Sequence, residues 1–253
     1  MKTCEPLGMS RSNWSWDTKM ADFNNDGRVE AIQATGFVKG DIDRWPELQE
    51  LALGNDENLR HPLAWPKFKP GDGLSATAHN PFYVRNKKGR FIDIAAELGL
   101  DQPFISRGFA VADVDADGDL DFTVANQWES SYLLRNDCPD CGSFLGLHLR
   151  FAVTAHEKLT ISSGHPTGLS RPAIGATAKV QLADGRILVA EVDGGNGHSG
   201  RRSHDLHFGL GHFPKKQRVR VTLRWRDSSG KVHQQGVKLT PGWHTITLAD
   251  SVI

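Results

Sequence analysis

Cysteine is scarce in this chain, and long apolar runs are missing. Three of the 253 residues are cysteines, and Cys138 and Cys141 form the only Cys-x-x-Cys pair. A four-cysteine zinc site needs a second such pair, so the sequence excludes one. No apolar stretch is long enough to span a bilayer, which argues against a protein anchored by a membrane helix.

The Cys138-Pro-Asp-Cys141 segment by itself leaves three chemical states open: a small disulfide loop, two plain thiols, or a redox dithiol. A thioredoxin-like motif would be followed by a helix, and no helical pattern follows Cys138. We therefore expect either the disulfide or the thiols. Cys4 stands apart near the start of the chain.

The formal net charge is zero, because 30 lysines and arginines balance 30 aspartates and glutamates. The two signs are nevertheless distributed unevenly along the chain. Residues 1–143 carry 15 basic against 23 acidic side chains, whereas residues 144–253 carry 15 against 7. Nine of the eleven histidines also fall in the second part. This shift in composition predicts two domains, 1–143 and 144–253.

The most informative feature is an acidic loop around Gly118. Its carboxylates recur at every second position, and the glycine turn brings alternate side chains toward one point, an arrangement that suits Ca²⁺. The predicted ligands are the side chains of Asp113, Asp115, Asp117 and Asp121 and the carbonyl of Asp119. A lone acidic turn of this kind is more often simply solvated, but the regular spacing favours a metal site.

A second copy of the pattern surrounds Gly27 and has one neutral ligand. Its predicted ligands are the side chains of Asp22, Asn24, Asp26 and Glu30 and the carbonyl of Arg28. An EF-hand would have glutamate at the twelfth position, where the two copies have Val124 and Gln33. The flanking residues are typical of β-strands rather than of helices. We therefore expect two calcium loops that join strands.

The rest of the chain is predicted to be all-β. Apolar strands ending in Arg-Asn recur within residues 80–100 and 130–137, which indicates repeated units. The stretch Asp41–Ala78 interrupts them as a long loop with one short helix around Pro46–Leu53. Beyond Leu145 the pattern predicts a small antiparallel sandwich of roughly seven or eight strands. It includes a hairpin in which Asp184 and Gly185 supply positive φ angles.

Several segments together resemble a known family. The segments 13–17, 85–100, 107–126 and 133–137 resemble FG-GAP/VCBS repeats, and 171–211, with its Leu-His-Phe-Gly-Leu-Gly end, is similar to an ASPIC/UnbV domain. The resemblance implies calcium-containing propeller blades followed by a β-sandwich, in proteins that are usually exported. A propeller needs at least about four blades, and this chain supplies about two. We therefore expect an incomplete or truncated propeller. Further blades outside this sequence or a second copy of the chain could complete it.

A basic strand and several histidines are the remaining candidates. Alternation places Val219, Leu223 and Trp225 on one face of a strand, and the other face carries Arg218, Arg220, Arg224 and Arg226. A solvated strand face explains such a stripe, but it also suits a protein or an acidic polysaccharide partner. Nucleic acid is not expected, because no aromatic stacking platform accompanies the arginines.

Three functions are open at this point. The first is a calcium-stabilised, non-catalytic binding or adhesion protein. A weaker option is carbohydrate binding by the exposed pair Trp45 and Trp65. The alternative to both, which the family resemblance implies, is an enzyme or accessory protein of secondary metabolism, of the kind found in enediyne pathways. Its site would lie between the two modules and use histidines such as His198 and His207, with His204 too poorly spaced to share one metal.

The expected location depends on the calcium loops. Residues 1–10 lack the apolar core of a secretion signal, so the protein is either cytoplasmic or exported by a signal outside this sequence. Millimolar free Ca²⁺ is an extracellular condition, and such loops therefore favour an extracellular or periplasmic protein.

Overall fold

The computed structural model describes residues 7–9, 13–54, 56–75, 78–154, 158–182, 184–193, 195, 198 and 201–250. The protein is mostly β, with 44% of residues in strands and 8% in helix, and no sheet in the described part closes on itself. The prediction of a mostly β chain is confirmed. None of the helices in the described ranges has the length and apolar character needed to cross a bilayer.

The described residues of the first half form nine strands and two short helices. The strands are β1 Ser15–Ala21, β2 Glu30–Thr35, β3 Ile42–Asp43, β4 Asp72–Gly73, β5 Phe82–Arg85, β6 Phe91–Asp93, β7 Ser106–Ala112, β8 Asp121–Asn126 and β9 Tyr132–Leu134. The helices are α1 Trp45–Gly54 and α2 Asp56–Arg60, followed by a 3-10 turn at Pro62–Ala64. The helix expected around Pro46–Leu53 is thus present. β1, β2, β5 and β6 form one sheet in that order, and β3 pairs with β4.

The two acidic loops are structurally equivalent. Loop 1 joins β1 to β2, and loop 2 joins β7 to β8; both strand pairs are antiparallel. The turn residues Asn25 and Ala116 have φ angles of 59° and 64°, and Gly27 and Gly118 follow at 80° and 101°. The same backbone turn therefore occurs in both loops, as the repeated spacing predicts.

The second half begins at β10 and contains two sheets. Its strands are β10 Ser143–Ala152, β11 Thr160–Ser163, β12 Ser170–Pro172, β13 Thr177–Gln181, β14 Ile187–Glu191, β15 Arg201–Arg202, β16 Leu206–Gly211, β17 Val219–Arg226, β18 Val232–Leu239 and β19 Gly242–Leu248. One sheet has the order β11-β19-β10-β12, with β16 also on β10, and the other has the order β14-β13-β17-β18. Side chains from both sheets, such as Leu147 and Leu223, share one buried core.

Two details of the predicted sandwich are wrong. β10 and β19 pair in parallel, so the first sheet is mixed rather than purely antiparallel. This is possible because the two strands lie at opposite ends of the domain, and the intervening strands provide the crossover that parallel pairing requires. In the hairpin between β13 and β14, Gly185 has a φ of 87° but Asp184 is not among the residues with positive φ. One glycine is enough for this turn.

A short strand joins the two halves of the chain. β15 pairs in parallel with β7, where Arg201 lies opposite Ala110 and Arg202 opposite Val111. The resulting sheet has the order β15-β7-β8-β9, so one strand from beyond residue 144 completes a sheet of the first half. The domain division at residues 143 and 144 stays a prediction.

Limited proteolysis with chymotrypsin is expected to cut first after Leu63 or Leu169. Their side chains are 91% and 90% exposed, and both lie within the segments 41–78 and 162–170 that lack strand alternation. The nicked pieces should elute together from a sizing column, because β10 stays paired with β19 after a cut at Leu169. Pieces that separate without denaturant would show that this pairing does not hold the protein together.

Candidate functional site

Loop 2 brings three carboxylates together. Oxygen atoms of Asp113, Asp115 and Asp117 all lie within 4.8 Å of one another. Asp113 Oδ2 accepts hydrogen bonds from the Gly118 N–H at 2.9 Å and from Trp243 Nε1 at 2.8 Å. Asp113 Oδ1 is buried and has no hydrogen-bond partner among the described residues. An oxygen of this kind is costly to bury unless a proton donor or a cation is bound to it.

The remaining predicted ligands of loop 2 are held by the backbone. Asp121 is fully buried, and its Oδ2 accepts the Val114 N–H at 2.8 Å. Burial raises the pKa of Asp121. Burial, followed by repulsion from Asp117, raises the pKa of Asp119 to about 6. Both shifts reflect the cost of placing negative charges close together away from water, which a bound cation would offset.

Loop 1 repeats the backbone contacts without the same convergence. The Gly27 N–H donates to Asp22 Oδ2 at 2.8 Å, and the Arg28 N–H donates to Asp26 Oδ1 at 2.7 Å. Glu30 Oε2 accepts the Phe23 N–H at 2.9 Å. In the described part of the chain, the carboxylates of loop 1 do not form a group within 4.8 Å of one another. Asn24 Oδ1 accepts the Asp26 N–H at 3.1 Å.

Two buried acids in loop 1 are unfavourable as anions. Burial first, and then repulsion from Asp26 among other groups, raises the pKa of Asp22 to about 6. The same causes, with Asp22 as a further neighbour, raise the pKa of Glu30 to about 7. Loop 1 therefore converges less on one point than loop 2, but it also places buried carboxylates close together.

The loops lie at the junction of the two halves. Asn25 in loop 1 donates from Nδ2 to Asp119 Oδ1 of loop 2 at 2.9 Å, and its own carbonyl accepts the Gly211 N–H at 2.7 Å. Arg186 Nη1 donates to the Gly27 carbonyl at 2.9 Å. A Cβ atom on Gly209 would lie 2.0 Å from Asp22 Oδ2. The second half thus approaches loop 1 so closely that only glycine fits.

His207 fixes the second half against loop 2. Its Nε2 donates to the Gly118 carbonyl at 2.9 Å, and its ring stacks on Phe144 with centroids 5.4 Å apart. Burial lowers the pKa of His207 to about 4, so it is neutral at physiological pH. His198 instead contacts Trp16 at 5.1 Å between centroids, and His204 Nδ1 lies 2.6 Å from the Asp193 carbonyl. The three histidines therefore do not form one site.

The cysteine pair is a disulfide. Cys138 and Cys141 are joined by a bond of 2.00 Å, which selects one of the two states expected for this segment. Sulfur atoms in a disulfide are not thiolates, so the pair offers no metal ligand beside Asp119. Cys4 lies outside the described residues.

A cavity of about 670 Å³ lies where the two halves meet. One wall comes from the first half and includes Met20, Asp22 and Asp113. The lining from the second half includes the apolar Ile187 and Val189 of β14 and also His148, His165, Ser203, Asp205 and Trp243. The volume is within the range of small-molecule sites, roughly 300–1,000 Å³.

The second half can be placed by comparison with known proteins. Residues 166–252 match the family model described as ASPIC and UnbV. The predicted C-terminal ASPIC/UnbV domain is supported by this match. No curated protein matches the chain. The ASPIC/UnbV region contributes Arg186, His207 and Gly209 to the junction with the acidic loops, three contacts that sequence reasoning did not predict.

The ASPIC/UnbV region also carries the predicted basic face. The residues of β17 alternate between buried and exposed, as predicted, and Arg218, Arg220, Arg224 and Arg226 are all exposed. No carboxylate of the described residues forms a salt bridge with any of these four arginines. The four charges are therefore available to a partner.

The predicted pair of exposed tryptophans is not present. Trp45 packs edge-on against Trp14 at 5.2 Å between centroids, and Trp14 stacks on Phe37 at 4.6 Å. Trp65 is 44% exposed and donates from Nε1 to the Leu59 carbonyl. Trp45 is only partly exposed, because α1 places its ring against Trp14, so Trp65 is the one exposed member of the pair.

Proposed function

We propose that this protein is a calcium-stabilised, non-catalytic binding protein that acts outside the cytoplasm. The observation that carries the proposal is the convergence of Asp113, Asp115 and Asp117 beside an unpartnered, buried oxygen of Asp113. All-oxygen ligand sets of this charge suit Ca²⁺ rather than a transition metal. The residues present therefore fit the ion that the acidic repeat predicts.

The ion would be held by the ligands that the spacing predicts. In loop 2 these are the side chains of Asp113, Asp115, Asp117 and Asp121 and the carbonyl of Asp119. In loop 1 they are the side chains of Asp22, Asn24, Asp26 and Glu30 and the carbonyl of Arg28. The raised pKa values of Asp22, Glu30 and Asp119 support a bound cation in both loops.

Calcium in these loops would stabilise the junction as well as each loop. Trp243 and His207 contact loop 2, and Arg186 and Gly211 contact loop 1. We propose that the sheets β1-β2-β5-β6 and β7-β8-β9 are two FG-GAP/VCBS-type blades of an incomplete propeller. In this arrangement the ASPIC/UnbV region caps the metal-binding end of both blades.

The binding surface that we propose is the basic face of β17. Its partner would be an acidic polysaccharide or an acidic protein surface, since three exposed arginines lie on β17, Arg218 directly precedes it, and none of the four has an ion pair among the described residues. If loops 1 and 2 bind Ca²⁺ only at millimolar concentration, the ion would stabilise the protein outside cells, where such concentrations occur.

The triple variant Arg220→Ser, Arg224→Ser and Arg226→Ser is expected to lose retention on a heparin column. Retention of the unmodified protein should fall with salt, because the screening length drops from about 10 Å at 0.1 M to about 3 Å at 1 M. The measurement is the salt concentration at elution. A matched control removes three exposed lysines, Lys67, Lys87 and Lys88, from the first half. If both triple variants elute alike, retention reflects net charge and the basic face is not a binding site.

A further inference from the structure

His148 occupies an unusual position for a structural histidine. It lies on β10, whose core-facing residues are Leu145, Leu147 and Leu149, so alternation places His148 on the opposite face, toward the cavity. That face is nevertheless closed, and only 4% of His148 is exposed. Trp243 stacks on its ring with centroids 4.6 Å apart and 16° between the planes.

One nitrogen of His148 is fixed and the other is unpartnered. Nδ1 lies 2.6 Å from Asp205 Oδ1, and Asp205 Oδ2 accepts the Ser203 hydroxyl at 2.5 Å. Because a carboxylate only accepts hydrogen bonds, the contact with Asp205 keeps the proton of the His148 ring on Nδ1. Nε2 is buried and has no hydrogen-bond partner among the described residues.

A second imidazole, that of His165, lies next to the ring of His148. The ring centroids of His148 and His165 are 4.8 Å apart, with the planes at 45°. Since a metal–nitrogen bond is about 2.0–2.1 Å, two imidazoles on one ion place their centroids roughly 5 Å apart. A carboxylate behind the other ring nitrogen is the usual support of a metal-binding histidine. Burying Nε2 with no partner is unfavourable, and a bound ion would remove this cost.

We propose that His148 and His165 bind one divalent transition-metal ion at the wall of the cavity, with Asp205 as the positioning residue behind His148. Imidazole nitrogens select first-row transition metals over Ca²⁺, so this site is chemically distinct from the acidic loops. No third His, Cys, Asp or Glu among the described residues joins the pair within 4.8 Å. The remaining coordination positions would therefore be open to water or to a molecule bound in the cavity.

The test uses the full chain in excess Ca²⁺, which fills the acidic loops, and titrates it with Cu²⁺ supplied as its glycine complex to suppress weak surface binding. We expect one tight site whose electron paramagnetic resonance spectrum shows hyperfine coupling to two imidazole nitrogens. His165→Phe, at an exposed position, should weaken Cu²⁺ binding more than about tenfold and leave coupling to one imidazole. His148→Phe should have the same effect and keeps a ring on Trp243.

Asp205→Asn and His212→Phe complete the set. Asp205→Asn should weaken binding by about 10–100-fold while both imidazole nitrogens still couple to the ion, a pattern that general misfolding would not give. His212, which is exposed and does not line this cavity, should tolerate phenylalanine without change. Equal binding by the His148, His165 and unmodified proteins would mean adventitious binding only. Loss of the site on Asp115→Ala would place the ion in loop 2. Either result would overturn the proposal, whether or not Ca²⁺ stabilises the protein.

Discussion

Calcium at about a hundred times its dissociation constant is expected to stabilise the protein by about 2.7 kcal/mol. For a chain of this size each kcal/mol corresponds to roughly 2–4 °C in the melting temperature, so chelation should lower it by roughly 5–11 °C. The physical reason is that the proposed ligands of loop 2 are brought together only in the folded chain. Differential scanning calorimetry with and without a chelator measures the shift.

Substitutions in the loops separate metal binding from general stability. Asp115→Ala should remove most of the calcium response, whereas Asn24→Ala should remove less, because loop 1 has a neutral ligand and does not converge. Without calcium, Asp115→Ala should change stability little, since its one ion pair, with Arg135 at 3.8 Å, is exposed. Asp101→Ala, at an exposed aspartate outside both loops, is the control. A melting curve that does not respond to exhaustive chelation would refute the metal sites.

Gly118→Ala is expected to destabilise the protein strongly at the junction. Gly118 has a φ of 101°, and a Cβ atom there would lie 2.0 Å from the ring of Phe144. Backbone strain of about 1–3 kcal/mol and overpacking of about 1–3 kcal/mol together predict a loss of roughly 2–6 kcal/mol. Chemical denaturation measures the loss in the free energy of unfolding.

Gly27→Ala is the matched control, because Gly27 occupies the same turn of loop 1 with a φ of 80°. Its nearest neighbours are 3.2 Å away and include the flexible end of Arg186, so only the strain of about 1–3 kcal/mol is expected. Adding Phe144→Ala to Gly118→Ala should recover part of the loss. Strictly additive effects of these two changes would show that the approach of Phe144 to loop 2 does not matter for stability.

Local periodicity predicted the parts of the fold that depend on neighbouring residues. Apolar side chains alternate along β17, and this alternation predicted its buried face of Val219, Val221, Leu223 and Trp225. Every second side chain of a strand points to the same face, so burial of one face produces this pattern. The spacing of the aspartates around Gly118 likewise predicted a turn there, because the turn depends only on residues close in sequence. These patterns need no knowledge of the rest of the chain.

Contacts between distant residues could not be predicted in this way. The parallel pairing of β10 with β19 leaves no local pattern in the sequence. The backbone N–H and C=O groups of β10 would be satisfied equally well by a parallel or an antiparallel neighbour. The hydrogen bond from Trp243 to Asp113 spans 130 positions. The pairing of His148 with Asp205 spans 57 and depends on which strands become neighbours. The sequence therefore predicted which carboxylates share a loop, while the junction and the contact between His148 and Asp205 required the structure.

The sheet β15-β7-β8-β9 can be completed only after β15 has been synthesised, because β15 pairs with β7. β7 is synthesised long before Arg201 and Arg202, and at roughly 5–20 residues per second the edge of β7 waits several seconds for its partner. An unpaired strand edge is a template for association with other chains. A polypeptide that ends before residue 201 would keep that edge open permanently. The second half of this protein therefore closes an open strand edge of the first half only once residues 201 and 202 have been made.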